Sequence, residues 1–68
     1  MDIQGDIGKR AFTIDEFCHA HDLSRAFFYH LRKDGKGPRM MKVGARRLIS
    51  IEAAADWRRQ MEAEAAAA

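Results

Sequence analysis

Disulfides are the first thing this chain lacks, because its one cysteine, Cys18, has no partner. A single thiol fits a reducing, intracellular setting better than an oxidising one. Long apolar runs are missing as well. No stretch approaches the ~18 residues that a membrane-spanning helix needs, and no signal peptide is legible, so a soluble cytoplasmic domain without a membrane partner is expected. Catalytic groupings are equally scarce. There is no nucleophile–base–orienter trio and no phosphate-cradling glycine loop, which argues against an enzyme and against a cofactor. Cys18 and His21 stand i, i+3 near a helix end, with His19 and His30 nearby, but no second ligand pair exists and no metal is expected. A buried thiol beside exposed, titrating histidines is the preferred account. With 68 residues, the chain allows one domain near the lower limit for folding without staples.

What is present is an uneven distribution of charge. The net charge is only +2. Residues 24–50, however, carry Arg25, Arg32, Lys33, Lys36, Arg39, Lys42, Arg46 and Arg47 against Asp34 alone, a net of +7. The flanking stretches are acidic: residues 1–23 net −3 and residues 51–68 net −2. A basic block between acidic ends points to a polyanion at one surface.

Residues 1–11 contain two glycines and no periodicity, and a flexible arm is expected there. Phe12-Thr13-Ile14-Asp15-Glu16-Phe17 is a helix start. Thr13 is the N-cap, Glu16 at N3 completes a capping box, and Phe12 and Phe17 form a hydrophobic staple. A two-turn helix is predicted from Ile14 to Ala20, with Ile14, Phe17 and Cys18 inward. After His21-Asp22-Leu23, Ser24 caps a second helix whose staple is Leu23 and Phe28. At about 100° per residue, Ser24, Phe27, Phe28 and Leu31 share the core side. Ala26, Tyr29, His30 and Lys33 lie nearly opposite. Two short helices with so brief a link match a helix-turn-helix.

Asp34-Gly35 ends the second helix, with Gly35 at the left-handed C′ position. Lys36-Gly37-Pro38 is an extended connector. Met40 to Val43, Gly44-Ala45 and Arg46 to Ile49 read as a hairpin with a type II′ turn, in which Met41 or Val43 packs down together with Ile49. Ser50 caps a third helix with Ile51, Ala54, Trp57 and Met61 on one stripe. Trp57 is expected to lock that helix over the hairpin and the first two helices. The domain is placed at residues 12–62. For the Ala-rich tail, residues 63–68, the pattern leaves helix and fraying both open.

With its elements in this order, the chain resembles the small winged-helix proteins of the phage excisionase type, within the MerR-like helix-turn-helix superfamily. The residues that carry the resemblance are Thr13-Ile14-Asp15-Glu16-Phe17, Leu23-Ser24-Arg25, Tyr29, Leu31, Asp34-Gly35, Gly37-Pro38, Lys42-Val43-Gly44, Arg46-Arg47, Ile49 and Trp57. They span Phe12 to Met61. The fold it implies is mainly α with a small β-hairpin, a winged helix-turn-helix in which helix, turn, helix, two-stranded wing and helix follow one another. It also implies that the second helix enters the major groove and the wing lies on the minor groove or backbone. That would put Ser24, Arg25, Ala26, Phe27, Tyr29, His30 and Lys33 at or near the groove, and Lys42, Gly44, Arg46 and Arg47 on the wing. Two positions depart from the pattern. Ala26-Phe27 replaces residues that are more often small and polar, which leaves Phe27 open between core and thymine-methyl contact. His30 stands where a basic residue is common, which would make that contact pH-dependent.

The function this implies is sequence-specific binding of double-stranded DNA, as an excisionase (a recombination directionality factor) or a prophage-type transcriptional regulator, nucleoid-associated in the cytoplasm. Partners to expect beside DNA are an integrase or other recombinase, RNA polymerase, and further copies of the chain binding cooperatively. The other reading is a protein-interaction adaptor that docks on a recombinase or polymerase through Trp57 or the Ala-rich end.

Overall fold

Local signals set most of the element boundaries. The computed structural model describes residues 10–67. The elements are β1 (Ala11–Thr13), α1 (Ile14–Ala20), α2 (Arg25–Lys33), β2 (Met41–Val43), β3 (Arg46–Ser50) and α3 (Ile51–Ala67). The chain is mainly α, with a three-stranded antiparallel sheet in the order β1-β3-β2.

The sheet corrects the expected two-stranded wing. Ala11, Phe12 and Thr13 pair with Ser50, Ile49 and Leu48 of β3, and the Ile51 N–H donates to the Arg10 carbonyl at 2.9 Å. Ala11, assigned to the arm, is therefore in the sheet; residues 1–9 of the expected arm lie outside the described residues. Three residues are too few to show a strand period, and their partners lie far along the chain.

Thr13 ends β1 and caps α1 at once. Its hydroxyl accepts from the Glu16 N–H at 3.1 Å, and the Glu16 carboxylate accepts from the Thr13 N–H at 2.9 Å. The staple rings of Phe12 and Phe17 meet edge to face at 6.2 Å. Ser24 caps α2 by accepting from the Phe27 N–H at 3.1 Å, and the Ser50 hydroxyl accepts from the Ala53 N–H at 2.9 Å.

Both α1 and α2 end in the same left-handed turn. After α2, Gly35 has φ +74°, its N–H reaches the Arg32 carbonyl, and the Lys36 N–H reaches Leu31 at 2.8 Å. This pair of bonds is the Schellman closure. After α1 the same bonds run from Asp22 to His19 and from Leu23 to Cys18, but the left-handed residue is Asp22, with φ +58°. A side chain there costs roughly 1–2 kcal/mol, partly offset by the greater freedom glycine has when unfolded. The carboxylate also sits at the negative end of the helix. Asp22→Gly should therefore stabilise the fold by about 0.5–1 kcal/mol. A thermal melt should register this as a gain of roughly 4 °C; an unchanged or lower midpoint would contradict the strain.

The core is built from Phe17, Phe28 and Ile49, which are fully enclosed, with Cys18, Ala53, Ala54 and Trp57. Phe12, Ile14, Leu23, Leu31, Met40 and Met61 pack against it. Phe17 is the hub: its ring meets Phe28 at 5.7 Å and Trp57 at 5.3 Å, both edge to face, and stacks on His21 at 4.1 Å. Trp57 donates its indole N–H to the Lys36 carbonyl at 2.9 Å, which ties α3 to the connector after α2. Burial pushes the Cys18 thiol above its ordinary range, so it sits in the core as a small neutral side chain.

Two packing expectations change. Ile51 is exposed, and Ala53 takes its place on the buried side of α3. Met41 and Val43 face outward while Met40 packs against the core. The cause is register: Met41 pairs with Leu48 and Val43 with Arg46, so both point away from the face that carries Ile49. The Ala-rich end is helical through Ala67. Glu64 in this last stretch lies 3.8 Å from Lys36, as the strong helix propensity of alanine allows.

Candidate nucleic-acid interface

Helix α2 turns Phe28 inward and leaves Arg25, Ala26, Phe27, Tyr29, His30, Arg32 and Lys33 exposed. Phe27 is 49% exposed, which removes it from the core side where periodicity placed it. The reason is the narrowness of the contact: Phe28 meets Phe17 of α1 and Leu31 packs against the core, and the flank one residue earlier is left in solvent. Arg25 is held from two sides. It pairs with the Asp15 carboxylate of α1, and its guanidinium donates to the Tyr29 hydroxyl at 3.1 Å, 5.6 Å from that ring's centre. These contacts fix Tyr29 across the front of α2.

The hairpin turn is as the sequence predicts. Gly44 has φ +63°, and among the described residues Asp22 is the only non-glycine with positive φ, so Ala45 has negative φ as a type II′ turn requires. Pairing of Val43 with Arg46 and of Lys42 with Arg47 then sorts the side chains. Lys42 and Arg47 lie on the Ile49 face, and Arg46 lies with Val43 on the other. Arg46 and Arg47, which the resemblance puts together on the wing, therefore point to opposite faces, because neighbouring strand residues alternate.

Lys42 directly opposite Arg47 is an unusual choice, since like charges across a strand pair are destabilising. The two line a groove of about 140 Å³ together with Arg32 of α2, Met40 and Met41. Arg32 is not among the residues that the resemblance puts at the groove or on the wing. The signal that could have found it is its spacing, since Arg25, Tyr29 and Arg32 stand at i, i+4 and i+7 on one flank.

Carboxylates are distributed so as to leave this region bare. Asp15 takes Arg25, Asp56 takes Arg39 (at 3.0 Å) and Arg59, and Glu64 lies near Lys36. The Arg39 guanidinium, with Arg59 adding to it against a smaller desolvation effect, holds the Asp56 carboxyl below the usual range. Among the described residues, Arg32, Lys33, Lys42, Arg46 and Arg47 have no carboxylate within ion-pair distance. The uncompensated charge of the +7 block thus falls on the C-terminal half of α2 and on the hairpin. Ser24 and Ala26 stand exposed at the start of α2, and His30 and Lys33 are exposed further along it.

His21 is not the exposed group expected. It is half-buried, with Nδ1 2.8 Å from the Phe17 carbonyl and Nε2 3.0 Å from the Arg58 guanidinium. A guanidinium can only donate, so Nε2 accepts and the proton sits on Nδ1. Among the described residues no three His, Cys, Asp or Glu side chains are grouped to hold a metal ion. Nor is any described helix long and apolar enough to cross a membrane. Compared with known proteins, the chain matches no family model, no curated protein and no solved structure.

Proposed function

We propose that this chain binds double-stranded DNA as a winged helix-turn-helix, with α1 and α2 as the helix pair, α2 in the major groove and the β2–β3 hairpin on the minor groove or backbone. The observation that carries the reading is the cross-strand pair of Lys42 and Arg47, with Arg32 on the same groove and no carboxylate beside any of the three. Such a cluster works against the folded state until an anion occupies it, and a phosphate backbone supplies anions at regular spacing. Tyr29, His30 and Lys33 on the open face of α2 are the proposed base readers. The third strand β1 joins the wing to the body without covering Lys42 or β2, since β3 lies between them.

The roles that follow from the resemblance are an excisionase or a prophage-type regulator. Both use the same module, so the fold does not separate them. Footprinting on DNA that flanks the gene, with and without an integrase, distinguishes the two. The adaptor alternative loses one of its docking routes, because Trp57 is 9% exposed and its indole N–H is already engaged.

Anisotropy titrations of a labelled duplex from about 50 to about 200 mM salt test the reading directly. Five neutralised phosphates give a slope of log K against log salt of about −4.5. Affinity that does not respond to salt would overturn the DNA interface.

A further inference from the structure

We infer that Phe27 reads the 5-methyl group of a thymine, so that an A·T pair opposite the first turn of α2 is a fixed position in the bound DNA. The inference rests on the DNA-binding reading above. Of the four phenylalanines, Phe17 and Phe28 are fully enclosed and Phe12 packs against the core, whereas Phe27 is 49% exposed. Rings surround the other three: Phe12 meets Phe17 and His21, and Phe28 meets Phe17 and Tyr29. Phe27 has no ring neighbour among the described residues. Its place in α2 is not chosen for helix stability either, since phenylalanine is a middling helix former.

Its position is nonetheless held. Phe27 is the N3 residue, and its backbone N–H is bonded to the Ser24 hydroxyl, so the first turn that carries the ring is fixed. Next to it Ala26 has only a methyl group and leaves room for close approach. One turn on stands His30, and the cations of α2 lie on the other flank or beyond. When a helix enters the major groove, its N-terminal residues are the ones that meet base edges. An aromatic ring cannot hydrogen-bond a phosphate or a base edge. The one apolar group that base pairs present in that groove is the thymine C5-methyl.

The test changes one methyl group on the DNA. Duplexes selected by the full chain from a random pool are resynthesised with each thymine in turn replaced by deoxyuridine, and binding is followed by anisotropy. One replacement should weaken binding about fourfold, the effect of exposing a single buried methyl group, while the others stay within about twofold. Phe27→Ala should bind the thymine duplex more weakly and lose the thymine–uracil difference at that position; Phe27→Leu should keep part of it. A purely structural role for Phe27 would not move the thymine–uracil ratio. Salt-dependent binding with a flat deoxyuridine series, or a Phe27→Ala protein that still discriminates, overturns the inference and leaves the DNA reading standing. Loss of salt-dependent binding to every duplex overturns the DNA reading itself.

Discussion

Phe17→Ala is expected to remove roughly half or more of the stability of the fold. The ring touches Phe12, His21, Phe28 and Trp57 and is fully enclosed, so its removal takes away the hub between β1, α1, α2 and α3. Truncating a buried phenylalanine costs about 3–5 kcal/mol. A domain of this size has in total about 3–10 kcal/mol to lose, at roughly 0.05–0.15 kcal/mol per residue. Urea denaturation followed by far-ultraviolet circular dichroism makes the measurement. The informative control is Phe27→Ala, the same chemical change at an exposed site in α2, for which a melting shift of no more than about 3 °C is expected. If the two variants unfold alike, the division of these side chains between core and surface is wrong.

The second large effect concerns charge. Replacing Arg32, Lys42 and Arg47 together by glutamine should reduce DNA affinity about 100-fold or more at about 0.1 M salt and make the salt slope shallower by about 3. Arg39→Gln is the matched comparison, because Arg39 already has Asp56 at 3.0 Å; it should alter the slope by less than about 0.5. The triple variant carries a second expectation of opposite sign. Without DNA it should be at least as stable as the parent, because the Lys42–Arg47 repulsion is gone, a relief of about 0.2–1 kcal/mol. A triple variant that binds normally would show that the groove is not a phosphate site. One that melts well below the parent would show that the three cations hold the hairpin rather than wait for an anion.

How much of this was legible in the sequence depended on the range of the interaction. Capping at Thr13, Ser24 and Ser50 and the left-handed Gly35 and Gly44 were all visible, because each is decided within three or four residues. The pairing of β1 with β3 was not visible, since residues 11–13 show no period and their partners are nearly forty residues away. Side assignment on the hairpin failed for a related reason. The turn was correctly placed, but which strand face meets the core is set by Ile49 beneath α1 and α3, and that turned Met41 and Val43 outward. In α2 the helical period gave the core direction correctly and its width wrongly, so Phe27 was drawn in and Arg32 left out. His21 shows the limit of residue type as a guide: a histidine next to a turn reads as surface until Phe17 and Arg58 take its two nitrogens.

Thr13 and Ser50 each end a strand and begin a helix, with no loop between. The hairpin and the helices are thereby joined as the arms of a bracket are joined at its corner. Neither can pivot without breaking a cap or a strand pair. If the molecule sits on a duplex as proposed, the distance from helix to hairpin is set before contact, and the duplex must adjust to it. Selectivity would then extend to base steps that no side chain touches, favouring those, such as TA and CA, that give way most easily.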